Sequence, residues 1–174
     1  MFATFRAIAN GSKALALLSQ SEVILQRREW KRNGKRVVCV VGVFDLLHPG
    51  HIRLLEQARA QGDILVVAIQ SDAQARGKKG VGRPIMPAAE RAEIVAAFEA
   101  VDIAVELGEE ALATKFMEEF APDILVEGSG VSTGKSVASA KNLAGASRVA
   151  VVHIPPEPGH STSRLIERIK QLRA

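Results

Sequence analysis

The sequence predicts an α/β protein in which a Rossmann-like, doubly wound sheet of five parallel strands carries helices on both faces. Short runs that are almost wholly apolar, such as residues 37–43 and 64–69, are typical of strands buried on both faces. These runs alternate with segments whose apolar residues recur at helical spacing, which favours parallel strands joined by helical crossovers. With 174 residues, the chain is long enough for one domain with a substantial core.

Composition argues against several other classes of protein. No apolar run approaches the roughly 20 residues of a membrane-spanning helix, and residues 1–20 lack a convincing cleavage site for a signal peptide. We therefore expect a cytoplasmic protein with no membrane contact. The single cysteine, Cys39, lies in the first strand, which predicts a small core residue without a disulfide. Aromatic residues are few and Tyr is absent, so no nucleic-acid partner is expected.

The net charge of +4 comes from the first part of the chain. Residues 1–36 hold 8 of the 23 Lys and Arg residues but only 2 of the 19 acidic residues. We interpret this excess as the solvated face of a helical lead-in, residues 1–35, that precedes a main domain at residues 36–174. Contact with a nucleic acid or an acidic surface is the alternative for this stretch. Asn33 and Gly34 predict the turn between the two parts. The lead-in's packing candidates are Ala14, Leu15, Leu17, Leu18, Val23, Ile24 and Leu25.

Turn and helix signals delimit the other elements. Gly62 and Asp63 end the helix that follows the first strand. Residues 71–87 contain three glycines and two prolines and predict a long loop, which in a compact domain is usually functional. The later elements are expected as a helix at 87–100, a strand at 101–107, a helix at 111–120, a strand at 123–127, a glycine-rich loop at 128–136, a helix at 137–143, a strand at 148–154 and a last helix starting with residues 161–163.

The segment between the first strand and its helix carries the clearest chemical signal. It reads GVFDLLHPGH over residues 42–51 and places His48 and His51 three residues apart where a helix must begin. Residues at this spacing project from one side of a helical turn. The free N–H groups and positive dipole end of a helix N-terminus favour an anion. Two imidazoles at this position indicate chemistry on a phosphate.

This segment resembles the G-x-F-D-x-x-H-x-G-H signature of the cytidylyltransferase-like nucleotidyltransferase superfamily, with every fixed position present. The resemblance implies that a phosphorylated small molecule attacks the α-phosphorus of a nucleoside triphosphate and that pyrophosphate leaves. It implies that His48 and His51 are catalytic and donate hydrogen bonds to phosphate oxygens. No metal-ligating residue is implied, because the triphosphate itself would hold Mg²⁺. The expected nucleotide-binding or loop-shaping residues are Gly42, Phe44, Asp45 and Gly50.

Two further segments extend the resemblance. Residues 159–163, GHSTS, resemble the G-x-S-T-T segment that opens the last helix in this superfamily, where hydroxyls and free N–H groups suit phosphates. Residues 79–84, KGVGRP, resemble a K-G-x-x-R-P segment that supplies positive charge. In a doubly wound sheet these loops open at the carboxyl edge of the strands, where ligands bind. The resemblance adds Lys79, Arg83, Gly128, Ser161, Thr162 and Ser163 to the nucleotide-binding residues.

The order and spacing of several short segments narrow the resemblance to the adenylyltransferases of heptose 1-phosphate, which are often fused to a sugar kinase. The similarity covers about residues 36–170, and it implies a stand-alone form that uses ATP and a sugar 1-phosphate. A cytidylyltransferase for glycerol 3-phosphate or a similar alcohol phosphate, and a nucleotide-binding module without turnover, are the alternatives. A homodimer is left open. The segments lie at residues 62–63, 70–73, 79–84, 90–91, 101–102 and 121–126.

Several positions depart from the family pattern, including residues 129–131, where an acid and an aromatic are missing, and Ser163, which replaces a threonine. Two of the departures bear on the site. Val41 stands where Asn usually precedes the glycine, and Glu127 stands where a lysine is usual. Because Glu127 ends a strand, we expect its side chain near the phosphate-binding crevice, where a carboxylate is unfavourable unless it meets a cation or a hydroxyl. The expected partners are Lys135 or the hydroxyls of the acceptor. The alternative is a side chain that points to solvent.

Overall fold

The computed structural model describes residues 17–128 and 149–172. In these ranges the chain alternates strands with helices. The five strands are β1 (Val37–Gly42), β2 (Ile64–Ile69), β3 (Ile103–Glu106), β4 (Ile124–Gly128) and β5 (Ala150–Ile154). The six helices are α1 (Gln20–Arg32), α2 (Pro49–Arg59), α3 (Asp72–Lys79), α4 (Ala88–Ala96), α5 (Glu110–Phe120) and α6 (Thr162–Gln171).

The strands form one sheet in the order β3-β2-β1-β4-β5, and all four pairings are parallel. The chain builds the sheet outward from β1 to β3 and then returns to place β4 on the other side of β1. This reversal is the topological switch point of a doubly wound sheet. The predicted fold class is confirmed.

Two apolar layers cover the sheet because alternate residues of each strand face opposite sides. In β1, Val37 and Cys39 face the layer that α1 and α5 contribute to, whereas Val38 and Val40 face α2 and α4. All four side chains are buried. Burial raises the pKa of the Cys39 thiol to about 12, as expected for a core residue away from water.

Helix α1 packs against the sheet through a narrow set of contacts. Val23 and Trp30 are buried in the layer shared with α5. Arg27 is also buried, and its guanidinium donates to the carbonyl of Ala121 and to the Asp123 carboxylate. The basic residues of the last turn, by contrast, are exposed. Leu17 and Leu25 are 48% and 62% exposed, so their predicted role as packing residues is wrong. Two other candidates, Ala14 and Leu15, lie outside the described residues.

Three aspartates join the amino-terminal ends of neighbouring strands. Asp123 accepts a hydrogen bond from the backbone N–H of Val37, 2.8 Å away, and so links β4 to β1. Asp63 accepts from Arg36 N–H and Asp102 from Leu65 N–H in the same way. Each carboxylate thereby satisfies a donor at the start of a strand. These aspartates belong to the segments that carry the family resemblance, and they serve the edge of the sheet opposite its carboxyl ends.

The largest difference from the predicted elements concerns residues 71–87. A helix, α3, occupies Asp72–Lys79, where a continuous loop was expected. Ser71 starts this helix with a capping box. Its hydroxyl accepts a hydrogen bond from the backbone N–H of Gln74, and the side-chain oxygen of Gln74 accepts one from the backbone N–H of Ser71. The glycines at 77 and 80 obscured this signal, because glycine is a poor helix former. Helix α4 also ends at Ala96, earlier than predicted, and the predicted helix at 137–143 lies outside the described residues.

Gly62 and Gly77 form a matched pair for a test of packing at the turn before β2. A Cβ at position 62 would lie 2.7 Å from the carbonyl oxygen of Arg36, whereas one at position 77 would meet nothing within 4 Å. We expect Gly62→Ala to lower the free energy of unfolding by about 1–3 kcal/mol. Gly77→Ala, inside a helix, should leave it unchanged or raise it by up to about 1 kcal/mol. Urea unfolding of both variants measures the difference, and equal values would contradict the close approach.

Candidate active site

A cleft of about 410 Å³ opens at the carboxyl ends of β1 and β4, beside the switch point of the sheet. Ligands of doubly wound folds bind at this place. The structure brings together there all twelve residues that the sequence analysis named as catalytic or nucleotide-binding. The residues that line the cleft include Gly42, Phe44, Asp45, His48, Gly50, His51, Lys79, Arg83, Gly128, Ser161, Thr162 and Ser163.

His48 and His51 form a stacked pair at the start of α2. Their ring centroids are 3.9 Å apart and the ring planes differ by 24°. His48 is the residue before the helix, and Pro49 occupies the first helical position, where its missing N–H costs no hydrogen bond. The His51 Nδ1 accepts a hydrogen bond from the His48 backbone N–H at 3.3 Å. In neutral His51 the proton therefore sits on Nε2, which leaves a donor available.

Burial keeps both imidazoles neutral near pH 7. It lowers the pKa of His51 to about 4, with a smaller contribution from the neighbouring His48. Burial also lowers the pKa of His48, helped by the charge of His160. The Nδ1 of His48 is buried and has no hydrogen-bond partner in the described structure. The two histidines therefore offer neutral hydrogen-bond donors at the N-terminus of α2, a place that favours an anion. The Nδ1 of His48 is left unpaired.

The cleft glycines make room for side chains of the protein itself. A Cβ at Gly42 would lie 2.7 Å from the ring of Phe44, and one at Gly128 would lie 2.7 Å from a methyl group of Leu54. A Cβ at Gly50 would lie 3.0 Å from Nδ1 of His48. The resemblance implied that Gly42 and Gly50 bind the nucleotide or shape the loop. The geometry adds a second reason, since each glycine lets a neighbouring side chain of the site take its position.

Asp45 holds the loop between α3 and α4 against the end of β1. Its carboxylate is 2% exposed and accepts hydrogen bonds from Arg83 Nε at 2.6 Å and from the backbone N–H groups of Ile85 and Met86. Phe44 precedes it with a φ of 50°, a left-handed conformation that is strained for a residue with a side chain. Asp45 thus fixes the loop between α3 and α4, and Arg83, which also lines the cleft, forms an ion pair with it.

The start of α6 closes the cleft opposite the histidines. Ser161 caps this helix by accepting a hydrogen bond from Arg164 N–H at 3.2 Å. Thr162 donates its hydroxyl to the carbonyl of Leu46 at 2.9 Å and so joins α6 to the loop after β1. Its hydroxyl proton is committed to the protein, which leaves the Ser161 and Ser163 hydroxyls as the side-chain donors of this segment. The N-termini of α2 and α6 both open into the cleft, and both favour an anion there.

Arg91 on α4 is a structural residue of the site to which the sequence assigned no role, although it lies in the segment at residues 90–91 that carries the resemblance. Its side chain has no exposure to solvent, and its guanidinium contacts four segments around the cleft. A signal was present, because Ala88, Ala92 and Val95 mark the buried face of α4 and Arg91 lies on that face at helical spacing. The guanidinium donates to the carbonyls of Val43, Gln70 and Met86 and to the carboxylate of Asp72.

The loop between β5 and α6 adds groups that were not predicted. Glu157 forms an ion pair with Arg53 of α2, and both residues line the cleft. His160 also lines it, with its ring centroid 6.4 Å from that of His48. His160 lay within the segment that resembles the family motif, but at the variable position. Neither the motif nor the spacing of residues indicates that a histidine at this position belongs to the site.

Glu127 does not lie where the sequence predicted. It is 7% exposed, which contradicts the alternative of a side chain in solvent. It is also absent from the described residues that line the cleft. Alternation along β4 puts it on the same face as Leu125, away from the face that Val126 shares with α2. Lys135, its expected partner, lies outside the described residues. Val41, the other departure, does line the cleft.

No group of three or more His, Cys, Asp or Glu side chains suited to a metal ion occurs in residues 17–128 and 149–172. The carboxylates at the cleft already have partners, since Asp45 meets Arg83 and Glu157 meets Arg53. The donor set around the cleft therefore does not suit a resident metal. Over the same residues, no helix has the length and apolar character needed to cross a membrane.

The fold and the site together define a nucleotidyltransferase-type protein. The family model described as Cytidylyltransferase-like matches residues 39–168. This match covers more than half of the chain, so the chain belongs to the cytidylyltransferase-like family.

The curated relatives of this chain include proteins named Bifunctional protein HldE. The Bifunctional protein HldE of Koribacter versatilis (strain Ellin345) is 42% identical over 152 residues, which are 87% of this chain and 31% of the relative. The protein of the same name from Citrifermentans bemidjiense is 44% identical over 146 residues, 82% of this chain and 28% of the relative. The chain thus spans about a third of the length of the curated relatives it matches.

A solved structure shares the fold. The lipopolysaccharide core biosynthesis protein from Thermoplasma volcanium GSS1 superposes with a TM-score of 0.62 and is 32% identical in sequence. The match covers 71% of this chain and 99% of that chain.

Asp45 provides the stability test of the site. Replacing it with Ala leaves the Arg83 guanidinium and two backbone N–H groups without their acceptor, so we expect a loss of about 3–5 kcal/mol in the free energy of unfolding. Asp45→Asn, which keeps an acceptor oxygen, should lose less. Glu56→Ala, on the exposed face of α2, serves as the control and should change stability by about 0.5 kcal/mol or less. Denaturant unfolding measures all three, and a loss in Asp45→Ala no larger than in the control would contradict this role.

Proposed function

We propose that this protein transfers AMP from ATP to a sugar 1-phosphate, of the heptose 1-phosphate type, and releases pyrophosphate. The observation that carries the proposal is the stacked His48 and His51 pair at the N-terminus of α2, which faces the N-terminus of α6 across one cleft. Two helix starts and two neutral imidazole donors suit the phosphates of a nucleoside triphosphate. Mg²⁺ enters with the triphosphate as part of the substrate.

The reaction does not require the protein to form a covalent bond with the substrate. An oxygen of the acceptor's phosphate, already ionised near pH 7, attacks the α-phosphorus of ATP. The bond between that phosphorus and the bridging oxygen breaks, and pyrophosphate leaves with the electron pair. No general base is needed, so positioning and stabilisation of the charge that develops on the leaving group dominate. His51, with its proton on Nε2, and His48 donate hydrogen bonds to the phosphate oxygens.

Two cations bind the leaving pyrophosphate, namely Lys79, the last residue of α3, and Arg83 in the loop that follows. Lys79, an exposed residue at the end of α3, lines the cleft with its ammonium unengaged by any ion pair in the described structure. Arg83 also lines the cleft and is held by Asp45 in a fixed orientation. The family match and the relatives named HldE support the transfer of a nucleotidyl group, and the choice of ATP and a heptose phosphate rests on the resemblance to heptose 1-phosphate adenylyltransferases.

The histidines are tested by their replacement. We expect His48→Ala and His51→Ala each to lower turnover by on the order of 10² or more, because each removes a donor to the developing charge. Pyrophosphate release from ATP with heptose 1-phosphate is the assay. His153→Ala is the matched control, since His153 is exposed on β5 and does not line the cleft. Near-normal turnover in both cleft variants would contradict the mechanism.

The substrates are tested in the same assay. A panel of the four common nucleoside triphosphates, each with heptose 1-phosphate or glycerol 3-phosphate, should give turnover with ATP and the sugar phosphate. Turnover with CTP and glycerol 3-phosphate instead would favour the cytidylyltransferase alternative. Binding of a triphosphate without any release of pyrophosphate would favour a module without turnover.

Lys79 and Arg83 are expected to differ from each other. Lys79→Ala should weaken ATP binding by about tenfold, the scale of one hydrogen bond to a charged group, and leave AMP binding almost unchanged. Arg83→Ala should weaken ATP binding and also lower the free energy of unfolding, because it leaves the buried Asp45 carboxylate unpaired. Isothermal titration with ATP and AMP, together with denaturant unfolding, separates the two effects. Equal losses for ATP and AMP in Lys79→Ala would mean that its ammonium does not bind the pyrophosphate end.

A further inference from the structure

We propose that the imidazole of His160 is a third histidine contact to the phosphate chain, and that it binds in its protonated form. The inference rests on the proposed function and adds a residue to it. His160 lies on the loop between β5 and α6, directly before the cap of α6, and lines the cleft with His48 and His51. Its ring centroid is 6.4 Å from that of His48, so one phosphate chain can contact both rings.

The backbone around His160 sets the orientation of the ring. Its Nδ1 lies 3.0 Å from the carbonyl oxygen of Pro158, and its own N–H donates to the carbonyl of Glu157. Gly159 between them has a φ of +81°, a conformation that other residues rarely adopt. The short turn thus holds the ring at the cleft, while its exposure leaves room for a ligand to reach it.

The hydrogen bond to Pro158 decides what the ring can do in each charge state. A carbonyl oxygen only accepts, so Nδ1 must carry the proton of neutral His160 and Nε2 must carry the lone pair. That lone pair repels a phosphate oxygen. Protonation turns Nε2 into a donor and adds a positive charge, which makes a charge-assisted hydrogen bond to phosphate. His51 has the opposite tautomer, with Nε2–H already a donor when neutral.

The carboxylates near His160 are already paired with other residues, so a protonated His160 is available to bind an anionic ligand. The carboxylate of Glu157 is engaged by Arg53 of α2, and the guanidinium of Arg164 from α6 lies near Gly159. His48 faces it from the start of α2, where burial favours the neutral ring. Asp45 is engaged by Arg83. A triphosphate or pyrophosphate is therefore the anion that a protonated His160 meets in the cleft.

The experiment compares pyrophosphate binding by the full chain and by His160→Ala at two pH values. Near pH 6 the variant should bind about tenfold more weakly than the parent, and near pH 8.5 the two should agree within about twofold, because the charge-assisted bond needs a protonated ring. The titration of pyrophosphate is common to both proteins and largely cancels in the ratio of their affinities. Loss of His160 also lets the pKa of His48 rise, because His160 is one of the causes that lower it. That rise favours anion binding by the variant at low pH, so it opposes the expected loss and cannot produce it. His153→Ala, which alters an exposed histidine outside the cleft, should follow the parent at both pH values.

His160→Gln separates charge from shape. Its amide can donate a neutral hydrogen bond at every pH, so the pH dependence specific to His160 should be lost while some affinity at pH 8.5 is kept. A ratio of affinities for His160→Ala that is the same at both pH values, or equal to one at both, would overturn the proposal. Pyrophosphate release by the parent protein is measured in the same preparation. Turnover with a ratio independent of pH removes only the role of His160, whereas a pH-dependent ratio without turnover removes only the proposed catalysis.

Discussion

The geometry of the cleft depends on one buried cation. The guanidinium of Arg91 is fully removed from solvent, which would cost several kcal/mol if its donors had no acceptors. The acceptors come from separate segments, namely the loop after β1, the end of β2, the start of α3 and the loop before α4. Each of these segments must therefore place its acceptor next to the Arg91 guanidinium. The cleft is assembled around this group before any substrate arrives.

Asp45 extends that arrangement to the ligand side of the cleft. It links the strained turn at Phe44 to the loop that carries Arg83, and its three donors leave it almost no access to water. The groups that the proposed function assigns to phosphate binding are thus positioned by contacts within the protein itself. Preorganised donors of this kind need little rearrangement when charge develops, which is the condition under which they stabilise a transition state most.

Burial patterns explain which elements could be predicted. The run at 64–69 is apolar throughout, and β2 matches it residue for residue, because a strand covered on both faces leaves no other pattern. Helix α3 was missed because its signal is a cap formed by side chains, Ser71 and Gln74, in a stretch rich in glycine. The start of α6 at Thr162 was predicted correctly because serine and threonine mark helix caps by composition alone.

The site was predictable in its members and less so in their contacts. A motif identifies which residues meet at a helix start, as for His48 and His51, but it does not specify that Thr162 donates to a carbonyl or that Arg83 pairs with Asp45. Arg91 and Glu127 show the other limit. Both are charged residues in buried positions. Arg91 donates to Val43 and Gln70, which are distant from it in the chain, and periodicity cannot identify such partners.

The position of Cys39 has a practical consequence for studies of motion in this protein. The thiol lies in the central strand, at the middle of the apolar layer, and no other cysteine exists in the sequence. Only the thiolate reacts with alkylating reagents, and the buried group stays protonated. Labelling of the native chain therefore occurs only when the sheet opens around β1. The rate of that reaction reports the rarest opening events of the molecule, without any engineered probe.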